Sequence, residues 1–160
     1  MTLKVGDKIP EATVQRMGSS GPEPVSTADL FGGKRVAFFA LPGAFTPTCS
    51  AQHVPGYLKN AADLQAKGVD AIVCLSVNDA FVMGAWAKDQ ATGDAIDMIA
   101  DGSGDFTRAV GLEFDASKFG MGSRSQRYSM VVKDGVVEAL NVEAPGGFEV
   151  STAEHMLGQL

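Results

Sequence analysis

A strand-to-helix junction in the first third of the chain constrains the fold more than any other feature of the sequence. The apolar run from Arg35 to Leu41 has the length and composition of a buried strand. Pro42-Gly43 ends this run, Pro47-Thr48 is a typical helix start, and residues 48–67 continue the helical pattern. The sequence therefore predicts that Cys49 lies in the first turn of a helix, directly above the end of a strand.

The rest of the chain alternates strands and helices. Strands are predicted at 12–17, 35–41, 69–77, 96–100, 128–132 and 136–142, helices at 48–67, 80–91, 105–110 and 151–160, and loops at 18–24 and 115–126. Ser26 or Thr27 should cap a short turn, and Ser151 the last helix. Alternation implies parallel strands with right-handed crossovers, and an Asp134-Gly135 turn adds an antiparallel hairpin. The expected fold class is α/β, a mixed central β-sheet flanked by helices, in one domain over residues 1–160.

Composition and charge argue against several classes of function. The net charge of −6 and the absence of any Lys/Arg cluster longer than two residues argue against nucleic-acid binding. Apolar runs such as Val36–Leu41 and Ala71–Leu75 are far shorter than the roughly 20 residues that span a membrane. Two cysteines make no disulfide framework, and the first eight residues lack the apolar region that a signal peptide has. A reducing, cytoplasmic location is expected, and location in an organelle after removal of a transit peptide is the alternative.

The predicted position of Cys49 suits a reactive thiol. Unpaired N–H groups and the positive end of the helix dipole meet in the first helical turn, and both favour a thiolate over a thiol. The Thr46 hydroxyl lies three residues away. The competing interpretation is that Cys49 is a small buried hydrophobic residue, as most lone cysteines are.

Four blocks of sequence resemble the peroxiredoxins, specifically the type II or peroxiredoxin five-like subfamily. The first is the string from Pro42 to Tyr57, which resembles the active-site segment of that subfamily. The others are Val77–Trp86, Gly120–Ser129 and Val136–Glu143, so that the resemblance covers most of residues 35–143. It implies a thioredoxin-like fold and a thiol-dependent peroxidase that reduces hydrogen peroxide and small organic hydroperoxides with no metal or other cofactor.

The resemblance also implies the catalytic residues, which carry over onto Pro42, Thr46, Cys49 and Arg127. Cys49 would be the nucleophile that becomes a sulfenic acid. Arg127 would stabilise its thiolate and hold the peroxide, Thr46 would bond the peroxide, and Pro42 would limit water. Without the resemblance, Arg127 is better explained as a surface ion-pair residue. Thr46 is as well explained as a plain turn or cap residue. Arg124 either supports the site or is solvated.

Other functions are weighed against this interpretation. Cys49 and His53 lie four residues apart and could be a hydrolase pair or metal ligands, but the only other histidine is His155, and a metal site needs three or four ligands. A Cys-x-x-Cys pair is absent, which excludes dithiol chemistry of the thioredoxin type. A non-enzymatic thioredoxin-fold module that senses or binds redox partners is the main alternative.

The second cysteine and the assembly state complete the expectations. Cys74 lies in an apolar strand and should be structural, although plant peroxiredoxins resembling this chain have a second cysteine at a similar place that has been considered a resolver. Some family members place a resolving cysteine where this chain has Val150. The resemblance thus implies a one-cysteine mechanism, with glutathione and glutaredoxin or thioredoxin as reductant. It also implies a homodimer, because the Phe45 loop and residues 78–86 pack against a second chain in the family.

Overall fold

The computed structural model describes residues 2–160 and contains nine strands and six α-helices within that range. The strands are β1 (Thr13–Gly18), β2 (Gly21–Ser26), β3 (Arg35–Leu41), β4 (Ala71–Ser76), β5 (Asp97–Ala100), β6 (Glu113–Asp115), β7 (Ser123–Ser125), β8 (Tyr128–Lys133) and β9 (Val136–Val142). The helices are α1 (Thr27–Phe31), α2 (Val54–Lys59), α3 (Ala61–Ala66), α4 (Ala80–Gln90), α5 (Asp105–Ala109) and α6 (Ala153–Leu157). A π-helical segment covers Cys49–His53, and a 3-10 turn covers Ser117–Phe119.

Seven of the strands form one mixed sheet in the order β2-β1-β5-β4-β3-β8-β9. Strands β3, β4 and β5 run parallel to one another, whereas β1, β2, β8 and β9 add antiparallel pairs at the two sides. The parallel centre follows from the β–α–β crossovers, and the antiparallel side from the Asp134-Gly135 hairpin, both of whose residues have positive φ. The predicted thioredoxin-like α/β fold, with a mixed central sheet flanked by helices, is confirmed.

Two hydrophobic cores lie on the two faces of this sheet, and β3 contributes to both. Its side chains alternate, since Ala37, Phe39 and Leu41 pack in one core and Val36, Phe38 and Ala40 in the other. Tyr57 of α2 stacks on Phe39 with ring centroids 4.0 Å apart. An aromatic pair of this kind contributes about 0.5–1.5 kcal/mol beyond its burial, and it fixes the helix that follows Cys49 against the centre of the sheet.

The prediction of a loop at 18–24 was wrong, because β2 begins at Gly21. Pro22 and Pro24 argued against a strand, since proline has no N–H to donate to a ladder. Strand β2 pairs only with β1 and lies at the edge of the sheet, where a missing donor is tolerated.

The predicted loop at 115–126 contains further structure. Strands β6 and β7 form a two-stranded antiparallel sheet, and the Ser117–Phe119 turn lies between them. These strands have three residues each, which is too short for a pattern of alternating hydrophobicity to reveal them.

The last helix begins later than predicted, because its N-cap is Thr152 and not Ser151. The Thr152 hydroxyl accepts the backbone N–H of His155 at 3.0 Å. The Ser151 hydroxyl instead donates to the Glu143 carboxylate. None of the helices within residues 2–160 is long and apolar enough to cross a membrane.

Candidate active site

Cys49 lies in the first turn of the helix that follows β3, as predicted. Helical backbone begins at Pro47, and the Thr46 carbonyl accepts the N–H of Ser50 at 3.0 Å. The turn widens into the π-helical segment at Cys49, whose carbonyl accepts the N–H of Val54 five residues later. The Cys49 side chain is fully buried. Its thiol therefore lies beside the backbone N–H groups of a helix start, shielded from bulk water.

Arg127 reaches this thiol because of the order of strands in the sheet. Strand β8 pairs with β3, and Tyr128 lies opposite Ala40 near the end of β3. Arg127 immediately precedes β8, so its side chain emerges beside the helix that leaves β3. Its guanidinium Nη2 donates to the Cys49 Sγ at 3.2 Å. A permanent cation thus touches the sulfur atom at the start of the helix.

His53 connects Arg127 to the C-terminal part of the chain. Its Nδ1 lies 2.8 Å from Arg127 Nη1, and its Nε2 lies 3.0 Å from the Ser151 carbonyl oxygen. A guanidinium only donates and a carbonyl only accepts, so the neutral ring carries its proton on Nε2 and accepts at Nδ1. Burial and then the charge of Arg127 lower the pKa of His53 from 6.5 to about 3, and the ring stays neutral at physiological pH.

The loop between β3 and the helix is held by three side chains. The Thr46 hydroxyl donates to the Gly43 carbonyl at 2.6 Å, and the side-chain Oδ1 of Asn78 accepts the backbone N–H of Ala44 at 3.0 Å. Arg124 donates to the Pro42 carbonyl at 3.3 Å. Arg124 therefore supports the loop, which settles a point that the sequence left open.

A cavity of about 670 Å³ opens beside Arg127 and Thr48, the neighbours of Cys49, although Cys49 itself does not line it. Pro42, Thr48 and Arg127 line its inner end, and the β6–β7 segment and residues 143–147 form the opposite walls. Phe119 is 64% exposed at this site and Phe114 is 36% exposed, so the outer wall is apolar. The site can admit a small polar molecule at Arg127 and an apolar group further out.

The comparisons with known proteins agree with this geometry. The Redoxin family model matches residues 4–157. Peroxiredoxin-2E-2, chloroplastic, of Oryza sativa subsp. japonica is 49% identical over 99% of this chain and 73% of its own length. The chain belongs to the peroxiredoxin family. Peroxiredoxin-2B of Arabidopsis thaliana is 43% identical, covering 99% of this chain and 98% of its own. Reduced Prx3 in complex with H2O2, from Vibrio vulnificus, has a TM-score of 0.95 at 50% identity, with 99% of each chain covered.

Membership of this family confirms two predictions made from the sequence. The peroxiredoxin is a thiol-dependent peroxidase, and the names of its relatives, among them peroxiredoxins 2B, 2C and 2E, fit the type II subfamily. The alternative of a non-enzymatic redox module is not favoured. Within residues 2–160, no three His, Cys, Asp or Glu side chains lie close enough together to hold a metal ion.

The residues predicted for the active site of this peroxiredoxin converge in space. Cys49 and Arg127 are in direct contact, and Pro42 shares the cavity wall with Arg127. Thr46 lies at the helix start, three residues before Cys49. His53, which the sequence offered as a partner of Cys49 in a hydrolase or a metal site, is hydrogen-bonded to Arg127. The spacing of four residues from Cys49 was the available signal, because it places both side chains on one helix face.

Cys74 lies inside β4, opposite Phe39 of β3, and is fully buried. Burial, and then the nearby Cys49, raise the pKa of the Cys74 thiol well above its ordinary value. A thiol in this state is a poor nucleophile. Both cysteines are free.

Proposed function

We propose that Cys49 is the nucleophile of this peroxidase and that hydrogen peroxide and small organic hydroperoxides are its substrates. The observation that carries the proposal is the contact of 3.2 Å between the Cys49 sulfur and Arg127 Nη2 at the start of a helix. The solved complex of Prx3 from Vibrio vulnificus with H2O2 supports the choice of substrate.

The proposed reaction is a two-electron transfer from sulfur to oxygen. The Cys49 thiolate attacks one peroxide oxygen, the O–O bond breaks, and the other oxygen leaves as hydroxide or alkoxide and takes up a proton. Sulfur is oxidised to a sulfenic acid, and the peroxide is reduced to water or an alcohol. Negative charge moves from the sulfur to the leaving oxygen, so the Arg127 donors are useful at both ends of the reaction.

Thr46 and Pro42 are proposed to orient the peroxide and exclude water. Because the Thr46 hydroxyl already donates its hydrogen to the Gly43 carbonyl, its oxygen is free only to accept. It can therefore accept a hydrogen bond from a peroxide O–H. Pro42 lines the inner end of the cavity with carbon atoms and offers no N–H to a competing water.

The apolar outer wall supports organic hydroperoxides as a second class of substrate. Phe114 and Phe119 offer ring surface in the same cavity as Arg127, and Lys118 lies 5.9 Å above the Phe119 ring. A cavity of about 670 Å³ is larger than hydrogen peroxide requires.

We infer that the sulfenic acid is reduced by an external thiol in a one-cysteine mechanism. Val150 stands where a resolving cysteine would be expected, and Cys74 is buried with a raised pKa. Glutathione with glutaredoxin, or thioredoxin, would supply the electrons, and nothing on the chain selects between them. Cys49 is fully buried, so a thiol of that size requires the helix start to open during recycling.

Two further features of the function remain proposals. We propose a homodimer, supported by the exposure of Phe45 and Phe81. A reducing, cytoplasmic location is consistent with two free cysteines, and relatives named as chloroplastic and mitochondrial occur beside others with no compartment in their names.

The test of the proposed function is peroxide consumption by Cys49→Ser, with dithiothreitol as donor. A serine hydroxyl is a far weaker nucleophile at neutral pH, so turnover should fall to the background rate. Cys74→Ala is the matched control, because it removes the other thiol and should keep turnover close to that of the parent. Substantial turnover by Cys49→Ser would show that the nucleophile lies elsewhere.

A further inference from the structure

One carboxylate oxygen in this peroxiredoxin collects four hydrogen bonds from a short segment near the C-terminus. Glu143 Oε2 accepts the backbone N–H groups of Glu149, Val150 and Ser151 at 2.8, 2.9 and 2.8 Å, and the Ser151 hydroxyl at 2.7 Å. Partial burial raises the pKa of Glu143, but the bonds from Ser151, Glu149 and Val150 outweigh this and lower it. The ionised carboxylate therefore fixes the backbone of residues 149–151.

That segment carries the groups that hold His53. The Ser151 carbonyl oxygen lies 3.0 Å from His53 Nε2, and it also accepts the Tyr57 hydroxyl at 3.2 Å. Phe148 lies just before the segment, with its ring centroid 5.1 Å from that of His53 and 5.7 Å from the Arg127 guanidinium carbon. A cation over an aromatic face is attracted to it, so Phe148 helps to hold the Arg127 guanidinium in place.

Glu143 also contacts Arg127 through the backbone. Its N–H donates to the Arg127 carbonyl at 3.0 Å, one step beyond the pairing of Tyr128 with Val142 in the β8–β9 ladder. The main chain of Glu143 is thereby tied to the main chain of Arg127, while its carboxylate organises the support for the Arg127 side chain.

We propose that Glu143 is a positioning residue for the peroxidase reaction, acting through Ser151 and His53 to aim Arg127 at Cys49. The Ser151 carbonyl holds the His53 proton on Nε2, which leaves Nδ1 as an acceptor for Arg127 Nη1. With Nη1 held, Nη2 points to the Cys49 sulfur. The inference rests on the proposed function, because it assumes that Cys49 and Arg127 carry the chemistry.

The His53 tautomer is the link on which this proposal depends. If residues 149–151 were released, Nε2 would lose its acceptor, and the proton could move to Nδ1. Two donors, Nδ1–H and Arg127 Nη1, would then face each other across 2.8 Å, and Arg127 would turn away. The thiolate and the leaving oxygen would both lose a donor.

The experiment compares Glu143→Gln with Glu149→Gln by single-turnover oxidation of Cys49 with hydrogen peroxide and by nitrogen NMR of the His53 ring. Glu149 is the matched control, because its side chain carries the same charge as that of Glu143 but is exposed, and it begins the segment 149–151. For Glu143→Gln we expect a loss of about tenfold or more in the second-order rate constant, since misplacing a catalytic group by 1 Å can cost about 100-fold. The Nε2–H signal should be lost or exchange rapidly. Glu149→Gln should match the parent in both measurements.

A milder variant keeps the proposal testable if Glu143→Gln fails to fold. Ser151→Ala removes one of the four hydrogen bonds, and we expect a smaller loss in rate, with faster exchange of the His53 Nε2–H. The proposal is overturned if the folded Glu143→Gln protein has the parent rate and the parent His53 tautomer. If Glu143→Gln does not fold, the same result for Ser151→Ala overturns it. That result would not affect the proposed function. The proposed function fails only if Cys49→Ser still turns over peroxide.

Discussion

At the scale of the residue, the site depends on the difference between groups that only donate and groups that only accept. Arg127 donates to both Cys49 and His53, and the Ser151 carbonyl accepts from His53. His53 can change its role by gaining a proton, because its acceptor Nδ1 would then become a donor facing Arg127. Its neutrality is therefore a property of the folded state, and it should appear in the pH dependence of stability.

We predict that His53 destabilises the folded protein in acid. The unfolded chain binds a proton at His53 as the pH falls through 6.5, whereas the folded protein does so only near pH 3. Stability from the neutral ring is thus complete above pH 6.5 and is lost between pH 6.5 and 3, by at most about 1.4 kcal/mol per pH unit. In urea unfolding from pH 7 to 4.5, His53→Gln should lose stability less steeply than the parent. His155→Gln, at an exposed histidine, should keep the parent slope; equal slopes for all three proteins would contradict the prediction.

A second prediction separates two roles of Arg127. Arg127→Met removes the donor that contacts the Cys49 sulfur at 3.2 Å, and it should slow the reaction at high pH as well as at neutral pH. The loss of a well-placed donor typically costs about 10²–10³ in rate. The measurement is the second-order rate constant with hydrogen peroxide from pH 6 to 10. Arg108→Met is the control, since Arg108 is half exposed and paired with Asp105. Full recovery at high pH would restrict Arg127 to thiolate formation.

At the scale of the element, the central strands and the helix start could be predicted because their causes are local. Strands β3 and β4 are apolar runs that end at turn residues. Helix α4 begins after Asp79, whose side chain accepts the backbone N–H of Val82, as is typical of an N-cap. Strand β2 was missed because proline is tolerated only in a strand at the edge of a sheet. Which strand lies at the edge depends on the order of strands in the folded sheet, which the local sequence does not show. Glu143 was missed because its role lies in bonds to residues that only the fold brings near.

The third prediction concerns Cys74 and the strand that holds it. Since β4 lies between β3 and β5, Cys74 is fully buried, and it should not resolve the oxidised Cys49 without local unfolding. Peptide mapping after one equivalent of peroxide, with no donor present, should find Cys49 as a sulfenic acid. With glutathione added, it should find a mixed disulfide. Cys74→Ala should turn over at nearly the parent rate, and a quantitative Cys49–Cys74 disulfide would rule out the one-cysteine mechanism.

At the scale of the whole molecule, the exposed aromatic residues of the active-site loop and of α4 define a candidate interaction surface. Trp86 of α4 is fully buried, and its indole N–H donates to the Ser50 hydroxyl beside Cys49 at 3.1 Å. The Phe45 ring lies 6.4 Å from it and is 53% exposed, and Phe81 of α4 is 66% exposed. Of the three aromatic residues in the Phe45 loop and residues 78–86, Phe45 and Phe81 face solvent and Trp86 does not. The buried member links this surface to the helix that carries the thiol.

The fourth prediction is that this surface forms the interface of a homodimer. Phe45 has φ of 63°, a left-handed conformation that costs a residue other than glycine roughly 1–2 kcal/mol, and yet it presents its ring to solvent. Burial of the two rings against a second copy would offset that cost, at about 25 cal/mol for each Å² of apolar surface removed from water. Sedimentation velocity at micromolar concentration should therefore show a dimer, and Phe45→Ser combined with Phe81→Glu should shift it to monomer. Val5→Glu, at another exposed apolar residue, should leave the dimer unchanged. A parent protein that sediments only as a monomer would refute the prediction. A dimer insensitive to the double substitution would place the interface elsewhere.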